Sequence, residues 1–232
     1  MKQKNQKPLI AVALAAIAFT ANPANAAVLM VGDKIGVDFG PTAPANFFNQ
    51  VNPSPAGPGS IAAGGLINTT NVSVDGVGFS WSATNAFFNN TDSLENAAQP
   101  ADFVDSNTTD WLGISNQSAQ GTPGIITLTF TGLNDLFTYN LVIGARFGTN
   151  IASTSWTVDG QTLLATSNTD NAYRFFENLS TDGAGNLVMT GTGAVARLDI
   201  AAVSALQLTA IPEPSAALLG GLGLLALLRR RR

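Results

Sequence analysis

The chain has 232 residues, of which 45% are hydrophobic and 11% charged, and its formal net charge is −4. This length and apolar content suit one folded domain with its own core and exclude a wholly disordered chain. The sequence contains no cysteine and no histidine, which excludes disulfides, thiolate metal sites, cysteine nucleophiles and the Ser-His-Asp triad.

Residues 1–26 have the features of a secretory signal peptide. Three lysines among the first seven residues precede an apolar run at residues 9–19, and small residues follow this run. Ala24 and Ala26 form an A-x-A pattern, which predicts cleavage between Ala26 and Ala27. The run is too short for an ordinary membrane-spanning helix, and an uncleaved N-terminal anchor is the alternative. We therefore expect an exported protein.

Alternating apolar and polar residues predict antiparallel strands throughout the body, residues 27–210. At residues 126–132, Ile126, Leu128 and Phe130 alternate with threonines, and residues 137–147 continue the same pattern. This alternation is typical of strands with one buried face. Further strands are predicted at residues 34–40, 173–179, 186–191 and 195–210.

Turn signals separate these strands. Asp-Gly pairs at residues 75–76, 159–160 and 182–183 supply the positive φ values of tight hairpin turns, and Leu133-Asn134-Asp135 predicts another hairpin-type connection. The stretches 41–65 and 89–124 are predicted as long loops, the second with a short helix near Asp92–Ala98.

The pattern predicts an all-β fold. We expect an antiparallel two-sheet sandwich in the form of a jelly roll, flanked by the signal peptide and a C-terminal transmembrane helix. A β-helix is the alternative, but no repeat of constant period supports it. The strand and turn pattern of IGVDFG, GLNDLFTYNLVIGARFG, SWTVDG and GNLVMTG resembles galactose-binding-like or malectin-like jelly rolls of bacterial carbohydrate-active and surface proteins. The resemblance implies a fold and supplies no ligand residues.

Three tryptophans are candidates for stacking against a sugar ring. Trp81 and Trp156 lie in alternating strands and are expected to be buried, whereas Trp111 falls in a predicted loop and is the candidate glycan contact. Glu95 and Glu177 are the only glutamates before the C-terminal tail, and the sequence does not indicate a facing carboxylate pair. We expect no catalytic residues, no cofactor and no metal site, and therefore no enzymatic activity.

The C-terminal tail, residues 211–232, has three parts. Pro212, Glu213 and Pro214 form a stiff extended strip, and an uncharged apolar segment at residues 215–228 precedes Arg229, Arg230, Arg231 and Arg232. As a helix this segment would be about 21 Å long, short of the roughly 30 Å hydrocarbon core. The arginines can reach the headgroups and remain on the cytoplasmic side.

This order of parts resembles the PEP-CTERM sorting signal of Gram-negative bacteria. The resemblance implies that Pro212, Glu213 and Pro214 are recognised by exosortase, a membrane protease. Residues 215–228 would then be a transient anchor in the inner membrane, and Arg229 to Arg232 a cytoplasmic retention signal. An ordinary tail anchor is the alternative. The resemblance implies a cell-surface or extracellular-matrix location.

Together these features predict an exported surface or exopolysaccharide-matrix protein with a structural or adhesive role. The alternative is a carbohydrate-binding module that uses the jelly-roll loops, and a hydrolase is a third hypothesis that a carboxylate pair in a cleft would support. The expected partners are exosortase, the inner membrane and exopolysaccharide. Nucleic acid is not expected, because the body holds only four of the 11 basic residues and all but one of the 15 acidic residues.

Overall fold

The computed structural model describes nine ranges of the chain. These are residues 29–40, 48–52, 58–84, 86–89, 111–115, 124–144, 153–166, 172–193 and 200–212. The signal peptide, the predicted helix near Asp92–Ala98 and the tail from Glu213 lie outside them. Within these ranges the structure is all-β and contains no helix, and hence none long and apolar enough to cross a membrane.

Sixteen strands make up the described part of the chain. They are β1 (Lys34–Phe39), β2 (Asn49–Val51), β3 (Gly59–Ile61), β4 (Leu66–Ile67), β5 (Ser73–Val74), β6 (Gly78–Ala83), β7 (Ala86–Asn89), β8 (Trp111–Ser115), β9 (Ile125–Thr131), β10 (Phe137–Gly144), β11 (Ser153–Val158), β12 (Gln161–Thr166), β13 (Tyr173–Leu179), β14 (Leu187–Gly193), β15 (Ile200–Val203) and β16 (Ala205–Pro212).

Two large sheets dominate the fold. Sheet A has the order β13-β10-β16-β1-β2, and sheet B has the order β12-β11-β14-β9-β6-β3. All neighbouring strands are antiparallel except β1 and β2, which are parallel. A three-stranded sheet, β15-β8-β7, and the pair β4-β5 accompany them.

One hydrophobic core joins the inner faces of the two sheets. Ile35 and Leu208 of sheet A share it with Leu128 and Trp156 of sheet B, and all four side chains are fully buried. The rings of Phe39 and Phe79 meet edge to face across the sheets, with centroids 6.1 Å apart. Because two sheets of mainly antiparallel strands share one core, the predicted two-sheet sandwich is confirmed, with the parallel pair β1 and β2 as the exception.

The predicted strand alternation is also confirmed. Ile126, Leu128 and Phe130 of β9 are fully buried, while the threonines between them are half-buried. Trp156 is buried as expected. Trp81, which was also expected to be buried, is only half-buried. Its indole lies over Gly59, where a Cβ atom would lie 2.0 Å from the ring.

Of the four predicted hairpin turns, one joins neighbouring strands of the same sheet. At Asp159-Gly160, Val158 pairs with Gln161 and both turn residues have positive φ, 45° and 73°. The prediction was wrong for residues 75–76, 133–135 and 182–183. The last two connect one large sheet to the other, and the first joins β5 to sheet B. Consecutive strands therefore cross repeatedly between the layers, which is typical of Greek-key and jelly-roll sandwiches.

The two predicted long loops were also wrong in part. The stretch 41–65 contains β2 and β3, and the stretch 89–124 contains β8. These strands have three to five residues and form through pairing with distant strands, which overrides the low strand propensity of their Gly-, Pro- and Asn-rich surroundings. The last strand, β16, continues to Pro212, two residues beyond its expected end.

Candidate functional site

The outer face of sheet A carries a cross-strand row that ends in an exposed aromatic ring. Register places Phe175, Val142, Gln207 and Gly36 side by side on β13, β10, β16 and β1. Phe175 is 52% exposed, Val142 is half-buried and Gln207 is buried. Exposure therefore increases along the row towards β13, the edge strand.

Two further aromatic rings pack directly on the backbone of this face. A Cβ atom at Gly36 would lie 2.6 Å from the ring of Phe48, and one at Gly144 would lie 2.9 Å from the ring of Tyr173. Both glycines are therefore required for these close approaches. Phe48 and Tyr173 belong to a small second hydrophobic cluster with Ala172 and Ala205.

A buried carboxylate lies beside Ala205, a member of this second cluster. Asp38 is fully buried on β1, between Ala205 on one neighbouring strand and Gln50 on the other. Burial of a charged carboxylate costs desolvation free energy unless neighbouring groups compensate the charge. Buried ionisable groups are therefore enriched at functional sites. Because Asp38 and Gln207 are covered, the accessible binding groups of this face lie elsewhere on it.

The accessible polar groups form the next row. Asn140, Thr209 and Lys34 lie side by side on β10, β16 and β1, and all three are half-buried. The Asn140 Oδ1 atom accepts the N–H of Asn178 at 3.1 Å, at a β-bulge where Asn178 has a φ of 56°. Thr209 and Lys34 offer a hydroxyl group and an ammonium group.

We name Phe175, Val142, Asn140, Thr209 and Lys34 the sheet A platform. Strand spacing makes its polar row about 10 Å wide, and the aromatic row lies roughly 7 Å further along the strands. An exposed aromatic ring can stack on the C–H face of a pyranose, while nearby polar groups bond its hydroxyls. The platform combines these two kinds of contact on one rigid sheet.

Trp111, the predicted glycan contact, is not in a loop. It is the first residue of β8, and its backbone pairs with that of Asn89. The loop assignment was wrong because pairing with β7 and β15 creates a strand inside polar sequence. Its contact with glycan stays a prediction. Phe175 was missed, since FF in YRFFENL does not reveal which ring faces the core.

Three aspartates lie in loops at one end of the sandwich and hold those loops together. The Asp182 carboxylate accepts hydrogen bonds from the Asn186 side chain and from the N–H groups of Ala184 and Asn186, which lowers its pKa. Asp135 accepts the N–H of Gly185 at 2.9 Å. Asp159 accepts that of Ser180 at 2.8 Å. Among the described residues, no three acidic side chains are grouped to hold a metal ion.

The chain matches no protein-family model and no curated protein. Among solved structures, it is similar to a family 35 carbohydrate-binding module from Clostridium thermocellum, with 15% identity and a TM-score of 0.33 over 55% of this chain and 90% of that one. TmCBM61, solved with β-1,4-galactotriose, shares 11% identity with a TM-score of 0.35 over 55% and 86%. The CBM22-1 xylan-binding domain of Paenibacillus barcinonensis Xyn10C shares 13%, with a TM-score of 0.30 over 57% and 86%. Scores this low establish no common fold or ligand, so the sandwich rests on its own sheets and core.

Proposed function

We propose that this protein is an exported, non-enzymatic polysaccharide-binding module of the bacterial surface or extracellular matrix. The sheet A platform binds the glycan, and the C-terminal tail delivers the module through exosortase. The observation that carries the binding proposal is the exposure of Phe175 on the outer face of β13, beside Val142 and the polar row.

The chemistry of the platform supports a neutral or weakly acidic glycan. Phe175 and Val142 provide an apolar surface for a sugar ring, and Thr209 and Lys34 provide hydrogen-bond donors. Lys34 also favours a carboxylate-bearing sugar over a positively charged one. An adhesive role in the matrix follows if the glycan is the polymer of that matrix.

The delivery proposal rests on the tail sequence. Strand β16 ends at Pro212, which is exposed, so Glu213 and Pro214 follow directly on the folded body. A protease acting after Pro212 would leave β16 in place as the middle strand of sheet A. Processing would thus release an intact sandwich from the apolar segment.

The binding proposal is tested with Phe175→Ala on a panel of bacterial exopolysaccharides and plant galactans, xylans and mannans. We expect saturable binding by the natural sequence and at least tenfold weaker binding by the variant, equivalent to about 1.4 kcal/mol. Leu164→Ala is the matched control, because Leu164 is 43% exposed on β12 of sheet B and should not alter affinity. Trp111→Ala tests the sequence-based contact in the same assay.

The outcomes separate two kinds of failure. Absence of binding across the panel would exclude the proposed function. Binding that Phe175→Ala leaves unchanged and Trp111→Ala abolishes would move the site from the platform to β8.

Delivery is tested by the intact mass of the protein from its host, with and without exosortase. Exosortase-dependent loss of the tail near Pro212 to Pro214 is the expected result. A mass that ends at Arg232 in both strains would make the tail a permanent anchor.

A further inference from the structure

The first and the last described residues of the chain lie at the same end of sheet A. The N–H of Gly32 donates to the carbonyl of Ala210 at 2.8 Å, and the N–H of Ala210 donates to the carbonyl of Asp33 at 3.1 Å. The segment that follows the predicted signal peptide therefore lies beside the last residues of β16. We call this the tail end of sheet A.

Exposed apolar side chains surround the tail end. Met30 is 68% exposed, Val31 50%, Val72 57% and Leu136 67%. We name these four residues the apolar rim. Exposed apolar side chains that form a contiguous patch mark a site of contact with a protein, a ligand or a membrane.

Backbone contacts place the members of the rim around Pro212. Leu136 precedes Phe137, which pairs with Pro212 on one side of β16. On the other side, the turn containing Met30 and Val31 is bonded to Ala210 through Gly32 and Asp33.

Val72 adjoins this turn through Asn68. The N–H of Asn68 donates to the carbonyl of Val72 at 2.8 Å, and the Asn68 Nδ2 atom donates to Asp33 Oδ1 at 3.4 Å. Pro212, where the chain leaves the sandwich towards the tail, is thus flanked by apolar residues from three loops. We call Pro212 the chain exit.

The connection from this exit to the apolar segment is very short. Only Glu213 and Pro214 separate Pro212 from Ser215, where the uncharged run begins. Even a fully extended chain covers about 10 Å over these three steps. A segment that enters the bilayer at Ser215 must therefore hold the tail end of sheet A within roughly 10 Å of the membrane surface.

We propose that the apolar rim contacts the headgroup region of the bilayer when the tail is inserted. The inference rests on the tail-insertion part of the proposed function and goes beyond it, because it assigns a second membrane contact to the folded body. Insertion of the tail would hold the rim close to the bilayer. Burial of the four apolar side chains in the headgroup region would then lower the free energy.

Aspartates at the same end of the sandwich are expected to make this contact depend on the charge of the lipid headgroups. Asp33 and Asp135 flank the rim, and Asp75, Asp159 and Asp182 lie in loops of the sheet B side. Among the described residues at this end, Lys34 is the only basic one. These carboxylates are repelled by an anionic surface. We expect the rim to contact zwitterionic lipid more closely than anionic lipid, with the sheet B loops that hold Asp75, Asp159 and Asp182 turned away from the headgroups.

The experiment uses single-cysteine variants of the full chain, which has no native cysteine. Met30→Cys and Leu136→Cys place an environment-sensitive fluorophore on the rim. The matched controls are Ile125→Cys at the far end of β9 and Leu164→Cys on β12, where the native side chains are 42% and 43% exposed. Each labelled chain is reconstituted in phosphatidylcholine vesicles with and without headgroup-located nitroxide lipids.

We expect a blue shift and at least twofold nitroxide quenching at positions 30 and 136, and neither effect at 125 and 164. Vesicles containing phosphatidylglycerol should reduce quenching at the rim. If the chain floats with the vesicles but the rim probes remain aqueous, the inference is wrong and tail insertion stands.

Two other results would overturn the inference in recognisable ways. A chain that does not float with vesicles would exclude tail insertion, and the rim contact with it. A blue shift at positions 30 and 136 without lipid, together with the mass of a dimer in sedimentation, would assign the rim to contact between two copies of the chain.

Discussion

Replacing Tyr139 with phenylalanine tests how the connection between β9 of sheet B and β10 of sheet A is held. Tyr139 is fully buried on β10, and its hydroxyl donates to the carbonyl of Asn134 and accepts the N–H of Asn134, both at 3.0 Å. These bonds fasten the turn from β9 in sheet B to β10 in sheet A. Tyr139→Phe keeps the ring and removes both bonds.

The expected cost follows from what the substitution leaves behind. The N–H of Asn134 loses its partner in a partly buried turn, whereas the carbonyl of Asn134 keeps the N–H of Phe137 at 3.0 Å. Leaving a buried polar group unsatisfied costs about 1–3 kcal/mol, and partial access of water places the expected loss in the lower half of that range. Thermal or urea unfolding followed by tryptophan fluorescence measures it, since Trp156 is fully buried in the core.

The same substitution has a distinct pH signature. Burial raises the pKa of Tyr139 to about 12, with a smaller opposing effect from the hydrogen bond to Asn134. In the unfolded chain the pKa of tyrosine is about 10. The folded state therefore keeps its proton longer, and this contribution to stability is complete below about pH 10 and lost as pH rises through about 12.

The comparison that isolates this effect is the difference in unfolding free energy between the natural sequence and Tyr139→Phe, measured at pH 7, 9, 10 and 11. The difference should be constant up to pH 9 and should shrink above pH 10. Tyr173→Phe is the control for removal of one phenol from the chain. A Tyr139→Phe chain with unchanged stability at pH 7 and an unchanged difference up to pH 11 would refute the reasoning.

Two further substitutions test the packing on sheet A and the link between sheet B and the three-stranded sheet β15-β8-β7. Gly36→Ala should lower the free energy of unfolding by about 1–3 kcal/mol, because the new methyl group must displace the Phe48 ring 2.6 Å away; an unchanged urea midpoint would argue against that contact. Thr154→Val should cost about 1–3 kcal/mol, because the buried Thr154 hydroxyl accepts the N–H of Ala202 at 2.9 Å and donates to its carbonyl. Equal hydrogen-exchange protection of Ala202 in the natural sequence and in Thr154→Val would contradict it.

The strands of the core could be predicted from sequence because their alternation is a local property. The sequence did not predict, however, which sheet the strand after each turn would join. Asp159-Gly160 and Asp182-Gly183 look alike in the sequence, yet the first closes a hairpin and the second crosses between sheets. The second turn is held by Asp135, some fifty residues earlier in the chain, through the N–H of Gly185. Such long-range partners decide topology and leave no local signal.

The candidate site was hidden for a related reason. A strict period of two in YRFFENL would put Phe176 and Asn178 on one face. The structure instead buries Phe176 and Leu179, because a bulge at Asn178 shifts the register against β10. The bulge needs a positive φ and the Asn140 side chain, neither of which the strand pattern reveals. Which phenylalanine is exposed is thus fixed by pairing with β10.

The two proposed surfaces belong to the same sheet, and their distance along β16 links them. Thr209 of the platform is three residues before Pro212, so the polar row lies about 10 Å from the chain exit. With the rim in contact with the bilayer, the strands of sheet A would run away from the membrane surface. The platform would then face parallel to the membrane plane, close to the headgroups. A short oligosaccharide could enter this space, whereas a long polymer would be restricted by the bilayer below. Removal of the tail would lift that restriction without altering the platform, so processing would convert a membrane-bound module into one free to follow a polymer chain.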